Sequence, residues 1–376
     1  MIYADNAATS KLDKDAFLAM KPFLLESYAN ASQPYSFARS VKKALKDARE
    51  TIAACINATP DEIFFTSGGT ESDNWAIKGI SSIEQSKSTI IVSSIEHHAV
   101  LRSCEALINA GHSVFFSPVD QQGFVIEDTF RGILNNSPNL VSIMLANNEI
   151  GTVQAIKTLC SIAHERHALF HTDAVQAVGH IPVNVRDLGV DLLSASAHKF
   201  NGPKGIGFLY VRRGIKYPSF HSGGTQENGM RAGTENVASI IGMAEALRIN
   251  CETMEQTANR LLAYEAELIQ ILRDASIDFR RNGGTNHIPG NLSLSFRKLD
   301  GEMLLHRLDL KGICVSTGAA CDSNRTQISH VLTAINLPEE YARGTIRISL
   351  GKYNSKDDVV IIANELVKIV SESEHI

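Results

Sequence analysis

The sequence predicts an α/β protein: a large unit built on a mostly parallel sheet covered by helices, and a smaller α+β unit. Three observations carry this. Between residues 62 and 211, short near-continuous apolar runs alternate with helical patterns, as in a sheet buried on both faces. After about Met254 the texture changes to a long helix followed by strands with hairpin-like spacing. At 376 residues the chain is long enough for two such units. The expected division is residues 15–253 for the large unit, and 1–14 with 254–376 for the small one.

Taken in order, a polar turn cluster at 6–10 precedes a helical pattern at 38–53, where Ala38, Val41, Leu45, Ala48 and Ile52 recur by threes and fours. The basic residues between them, such as Arg39 and Lys42, read as a solvated face. Strands follow at 63–66, 89–93, 113–116, 141–145, 168–173, 190–194 and 207–211. Helices are expected between them at 71–85, 98–110 and 156–167. In the smaller unit the pattern gives a helix to about Leu272, an alternating strand at 291–296 and a helix from Gly301. Strands at 313–315 and 345–349 and a last helix from about Lys356 complete it.

The net charge of −5 gives no reason to expect nucleic acid or an anionic membrane as a partner. No apolar run approaches the length of a bilayer span. The start, Met1 to Asp5, lacks the charged and apolar regions of a signal peptide, so a cytoplasmic location is expected. Six cysteines, Cys55, Cys104, Cys160, Cys251, Cys314 and Cys321, show no C-x-x-C pair and no zinc pattern; no metal is expected.

Several strand ends carry residues able to do chemistry. Lys199 follows the strand at 190–194 and precedes a glycine-rich stretch from Gly202 to Gly207. It reads either as a surface charge or as an amine that forms a Schiff base. Asp173 closes another strand, where ligands of such sheets bind; it reads as a helix cap or as an acid facing a ligand. One helix and one strand separate the two, so both could reach one pocket. Ser67-Gly68-Gly69-Thr70-Glu71 joins a strand to a helix and is either a tight capped turn or a phosphate seat at a helix N-terminus. His97 and His98 follow a further strand, and one of them could stack on a flat ring and move protons. The amides of Asn147 and Asn148 could bond a ring oxygen or shape an Asx turn. Arg347, inside an apolar strand, needs a carboxylate partner, either structural or on a ligand. Cys321 lies among small and polar neighbours, a spectator thiol or a nucleophile. A Schiff-base lysine, an acid for a pyridinium nitrogen and a phosphate cradle are together what pyridoxal phosphate requires.

In order and combination these motifs resemble the cysteine desulfurases, pyridoxal-phosphate enzymes of the class V aminotransferase group. The matching stretches include Tyr3-Ala-Asp-Asn-Ala-Ala-Thr9, Thr66-Ser-Gly-Gly-Thr-Glu-Ser-Asp-Asn74, Glu96-His97 and Asn147-Asn-Glu-Ile-Gly151. They continue with His171-Thr-Asp-Ala-Val-Gln176, Ser196-Ala-His-Lys199, Gly229-Met-Arg-Ala-Gly-Thr234 and Ser316-Thr-Gly-Ala-Ala-Cys321. The resemblance implies fold type I and a role for each matching residue. Lys199 would hold the cofactor, Asp173 would pair with its ring nitrogen, and His97 would stack on the ring and share in proton transfer. Asn148 and Gln176 would bond the ring oxygen; Gly69, Thr70, Ser196 and His198 would hold the phosphate. Thr234 would reach the phosphate of a second subunit, implying a homodimer. Arg347, with Asn148, would bind the L-cysteine substrate. Cys321 would take its sulfur as a persulfide, leaving L-alanine, and pass it to a scaffold or carrier protein for iron–sulfur cluster assembly or tRNA thiolation. The alternative on the same fold is a selenocysteine lyase or another β-eliminating lyase. The stretch at 29–36 departs from the family's usual pattern, with Tyr35 near the place of a histidine.

Overall fold

The structure is a computed structural model that describes residues 1–83, 87–317 and 328–373. Its strands are β1 Ile2–Tyr3, β2 Ile63–Thr66, β3 Thr89–Ser93, β4 Ser113–Ser117, β5 Leu140–Ser142 and β6 Leu169–Asp173. They continue with β7 Leu192–Ser196, β8 Gly207–Val211, β9 Phe279–Asn282, β10 Asn291–Phe296, β11 Ile313–Cys314 and β12 Thr345–Ser349.

The main sheet has the order β2-β8-β7-β6-β5-β3-β4. The pairs from β4 through β7 are parallel, and β8 runs against both of its neighbours. The expected mostly parallel sheet is therefore present. Consecutive strand residues point to opposite faces, and here both faces are covered. Phe170, Leu193 and Phe208 pack into one core with Met243 and Leu247. Leu192 and Leu209, one position along, pack into another with Trp75, Ile77 and Val92. This two-sided burial is why the strands read as unbroken apolar runs. Because β3 to β7 run the same way, Ser93, Ser142, Asp173 and Ser196 end side by side at one edge. Gly207 starts β8 at that edge, where a Cβ would stand 2.4 Å from the Ala195 carbonyl oxygen, so only glycine fits.

A second sheet, β12-β10-β9, is antiparallel, and β1 pairs parallel with β11. Leu292, Leu294, Ile346 and Ile348 form a separate core with Leu304 and Val359. The alternating strand expected at 291–296 is buried at every position. Its serines are satisfied by Asn282 Nδ2, which donates to Ser293 Oγ at 3.0 Å and Ser295 Oγ at 2.7 Å. The helix Val237–Asp274 crosses from one core to the other: Met243 and Leu247 belong to the first, Leu261, Leu268 and Leu272 to the second. It starts well before the expected position near Met254, so the sequence boundary falls inside a continuous helix. The helical pattern there is hard to see because its apolar face changes partner midway.

Candidate functional site

Seven stretches of chain converge at the strand-end edge around a cavity of about 240 Å³. Gly69, Thr70, His97, Asn148, Asp173, Gln176, Ser196, His198, Lys199 and Arg347 all line it. These are ten of the residues picked from sequence. Thr234 is exposed and outside this wall, and Cys321 lies outside the described residues. Tyr35 is exposed and also outside it.

Lys199 closes a single helical turn, Ala197–Lys199, directly after β7. Its Nζ donates to the carbonyl oxygens of Ala7 at 2.6 Å and Ala8 at 2.9 Å. The N-terminal stretch thus crosses the site. Gln176 Nε2 donates to the same Ala7 oxygen at 2.9 Å, and His198 Nδ1 meets Thr9 Oγ1 at 3.1 Å. Ala7 N–H donates in turn to Ser349 Oγ on β12 at 2.9 Å.

Asp173 ends β6, with Oδ1 accepting from Val175 N–H at 2.9 Å. Burial pushes its carboxyl up to about 6; the Val175 bond and the Lys199 charge oppose this. Asp73, one helical turn after Gly69, is fully buried on the same wall and its Oδ1 has no hydrogen-bond partner. Burial, and then the nearby Asp173 charge, raise Asp73 well above the usual carboxylate range. Two buried acids share this corner, and the Lys199 charge favours the ionised form of Asp173.

The helix Gly69–Ile83 aims its N-terminus into the cavity, where its first N–H groups have no intrahelical acceptor. A Cβ on Gly69 would stand 2.6 Å from Val175 Cγ2, and one on Gly68 would stand 3.4 Å from Ser196 Oγ. The two glycines therefore let the helix end approach Val175 and Ser196 closely, forming an anion cradle with Thr70 and His198. Glu71, the next residue, holds Arg231 through two bonds at 2.8 and 3.1 Å, tying the 229–234 motif to the cradle.

His97 caps its helix, Nδ1 accepting from Ala99 N–H at 3.1 Å. The proton of the neutral ring is thereby placed on Nε2. Burial lowers its pKa to about 4, and the charge of Lys199 adds to this. Asn147 shapes the turn after β5, its Oδ1 accepting from Glu149 N–H at 2.9 Å and Ile150 N–H at 3.0 Å. Asn148 is the one of the pair that faces the cavity.

Arg347 is 4% exposed. Its Nη2 donates to Asp5 Oδ1 at 2.8 Å and its Nη1 to the Asn148 carbonyl at 2.9 Å, while the buried Nε has no partner. A buried donor on a cavity wall points to a ligand acceptor. Residue 316 forms a bridge with Arg347 on β12, and the chain re-enters the described structure at Ile328. There His330 Nε2 bonds the Glu96 carbonyl oxygen at 3.0 Å, and the His330 ring lies 5.0 Å from that of His98. Both anchors of the stretch that contains Cys321 therefore flank the cavity, one beside Arg347 and one beside His97.

An open α/β sheet whose strand ends gather an amine, a buried acid and a helix N-terminus in one cavity defines a pyridoxal-phosphate enzyme of fold type I. The chain belongs to the aminotransferase class-V family, whose model matches residues 2–362. It is 48% identical to the cysteine desulfurase IscS of Dictyoglomus turgidum, over 99% of this chain and 95% of that protein. It is 44% identical to the cysteine desulfurase IscS of Methanosarcina thermophila, over 99% and 92%. Among solved structures, a NifS-like protein superposes with a TM-score of 0.93 at 36% identity, covering 98% of this chain and 99% of that one. SspA in complex with cysteine superposes at 0.83 with 35% identity, covering 94% and 100%. The resemblance read from the motifs is thus met along the whole chain.

The family's cofactor is pyridoxal phosphate, and the residues present suit it. The glycine cradle suits a phosphate, the Asp173 carboxyl suits a pyridinium nitrogen, and the Lys199 amine suits an aldehyde. Sequence reasoning overlooked four contributors. Asp73 was legible from its spacing of four after Gly69, which places both on one helix face. The Ala7 and Ala8 carbonyls and the Asp5 partner of Arg347 had no such signal, because backbone acceptors and contacts across most of the chain leave no local pattern.

Proposed function

We propose that ten cavity residues and Cys321 divide the removal of sulfur from L-cysteine as follows, giving L-alanine and a persulfide. Lys199 anchors the cofactor through its amine and, once displaced by the substrate amine, moves the α-proton. Gly69, Thr70, Ser196 and His198 hold the phosphate, and Asp173 pairs with the ring nitrogen. Asn148 and Gln176 fix the ring oxygen, and His97 stacks on the ring as a neutral donor. Bound pyridoxal phosphate supplies an electron sink for charge developed at the substrate α-carbon. Arg347 takes the substrate carboxylate. The Cys321 thiolate attacks the substrate sulfur; the carbon–sulfur bond breaks, its electron pair stays with the carbon skeleton, and Cys321 keeps the sulfur. The observation that carries this reading is the unpartnered Arg347 Nε on the wall that also holds Lys199 and Asp173.

The same reading assigns residues 15–253 to the unit that holds the cofactor. It assigns 1–14 and 254–376 to the unit that carries Arg347 and Cys321. It also makes the enzyme a cytoplasmic homodimer in which Thr234 completes the partner's phosphate site. Its exposure outside its own cavity and the Glu71–Arg231 tether beside it support that assignment. A scaffold or carrier protein receives the sulfur for iron–sulfur cluster assembly or tRNA thiolation. Among the described residues no helix is long and apolar enough to cross a membrane.

Incubation with L-cysteine and a reductant tests the activity. Alanine and sulfide are expected in equal amounts; pyruvate and ammonia in place of alanine would show a β-eliminating lyase instead. Cysteine carrying radioactive sulfur identifies the acceptor by transfer of label from Cys321.

Two further results are expected. Arg347→Leu leaves Asp5 without its buried partner, so a loss of about 3 kcal/mol in a denaturant titration is expected. Arg347→Lys keeps the charge but not the fork, and raises KM for L-cysteine by roughly tenfold or more with a smaller loss of stability. The second concerns pH. Asp173 is held at about 6 in the cofactor-free chain, so a pyridinium that pairs with its carboxylate must displace a proton below that value. Cofactor association, followed by absorbance, should weaken by up to about tenfold per pH unit below about 6. Asp173→Asn should lose that part of the slope.

A further inference from the structure

Cys55 and Cys251 have no place in the chemistry above. Cys55 ends the helix Ala38–Cys55, and Cys251 sits midway along Val237–Asp274. The two helices pack along each other, and both cysteines line a cavity of about 300 Å³ distinct from the one that holds Lys199. Val178, Ile181, Leu247 and Met254 make much of the remaining wall apolar. Both thiols are half-buried and unbridged, whereas Cys104 and Cys160 are buried.

We propose that Cys55 and Cys251 form a dithiol site, open through this cavity to small apolar or aromatic disulfides, that closes to a disulfide joining the two helices. Interaction between the two thiols raises the pKa of Cys55 and lowers that of Cys251, which assigns Cys251 as the attacking sulfur. Its thiolate attacks one sulfur of the small disulfide R–S–S–R. That bond breaks, and the leaving thiolate takes up the proton lost by Cys251. Cys55 then loses its proton and attacks the Cys251 sulfur of the mixed disulfide, and the second RSH leaves with that proton. The pair is oxidised by two electrons, and the small disulfide is reduced to two thiols. Closure requires the backbone to adjust to disulfide geometry. Cys55 is placed for this: it is the last residue of its helix, with the cap Ile56 next and Asn57 at φ +56° after it, where a shift disturbs few helical hydrogen bonds.

The test uses the full chain loaded with pyridoxal phosphate and carrying Cys321→Ala, so that Cys321 consumes no reagent. Dithiobis(nitrobenzoate) is added, and release of the coloured thiol is followed with non-reducing peptide mapping. The expected product is one cross-linked peptide pair holding Cys55 and Cys251, lighter by two hydrogens and carrying no nitrobenzoate. Cys55→Ser should trap a stable mixed disulfide on Cys251, and Cys251→Ser should react several-fold more slowly at Cys55. Stable nitrobenzoate on both cysteines of the parent chain, a cross-link to another cysteine, or no reaction at either thiol would overturn the proposal.

Discussion

Replacing Lys199 by alanine should abolish the visible absorbance of the purified protein and lower sulfide release from L-cysteine by at least roughly 10³-fold. Two losses combine. The amine proposed to anchor the cofactor is gone, and with it the group proposed to move the α-proton. Among the described residues no other lysine lines the cavity, so no neighbour substitutes. The fold should survive, because Lys199 contributes to it chiefly through bonds to the Ala7 and Ala8 carbonyls. Circular dichroism should be unchanged, and added methylamine should restore part of the proton transfer. A variant that keeps its colour after dialysis, or one that turns over normally, would remove Lys199 from both roles.

Cys321→Ala should give the opposite split: full colour, with sulfide release from L-cysteine lowered by a comparable factor. The side chains proposed to hold the cofactor lie at strand ends and at one helix N-terminus, far from position 321 in the sequence. The stretch that carries Cys321 is anchored at Ser316 beside Arg347 and at His330 beside His97. The described residues on either side of it therefore lie close to two residues of the cavity wall, Arg347 and His97, to which the proposed function brings the substrate. Spectral titration with L-cysteine should show binding without turnover. Normal turnover in this variant, on cysteine or on selenocysteine, would transfer the reading to a lyase that needs no protein thiol.

Much of the site was legible as residue types at strand ends. Lys199, Asp173, His97 and Asn148 each follow an apolar run, and a parallel sheet aligns such ends by its own geometry. The boundary of β7 was placed two residues early, since Ala195 and Ser196 are too small to read as strand. The roles of Asn147 and Asn148 could not be separated from their order alone. Tertiary packing decides that Asn147 turns inward to the Glu149 and Ile150 N–H groups, leaving Asn148 at the cavity. Asp73 could have been found by helical spacing, but its burial beside Asp173 could not.

The division is physical. Apolar period, glycine punctuation and charged residues at strand ends are local properties, so the sequence by itself determined the α/β architecture, the strand-end site and most of its chemistry. Contacts between residues hundreds of positions apart leave no local trace. Only the tertiary structure decided that the N-terminal stretch spans the site, with Asp5 on Arg347 and Ala7 and Ala8 on Lys199. The same holds for one continuous helix serving both cores, and for Cys55 and Cys251 lining one cavity from two helices.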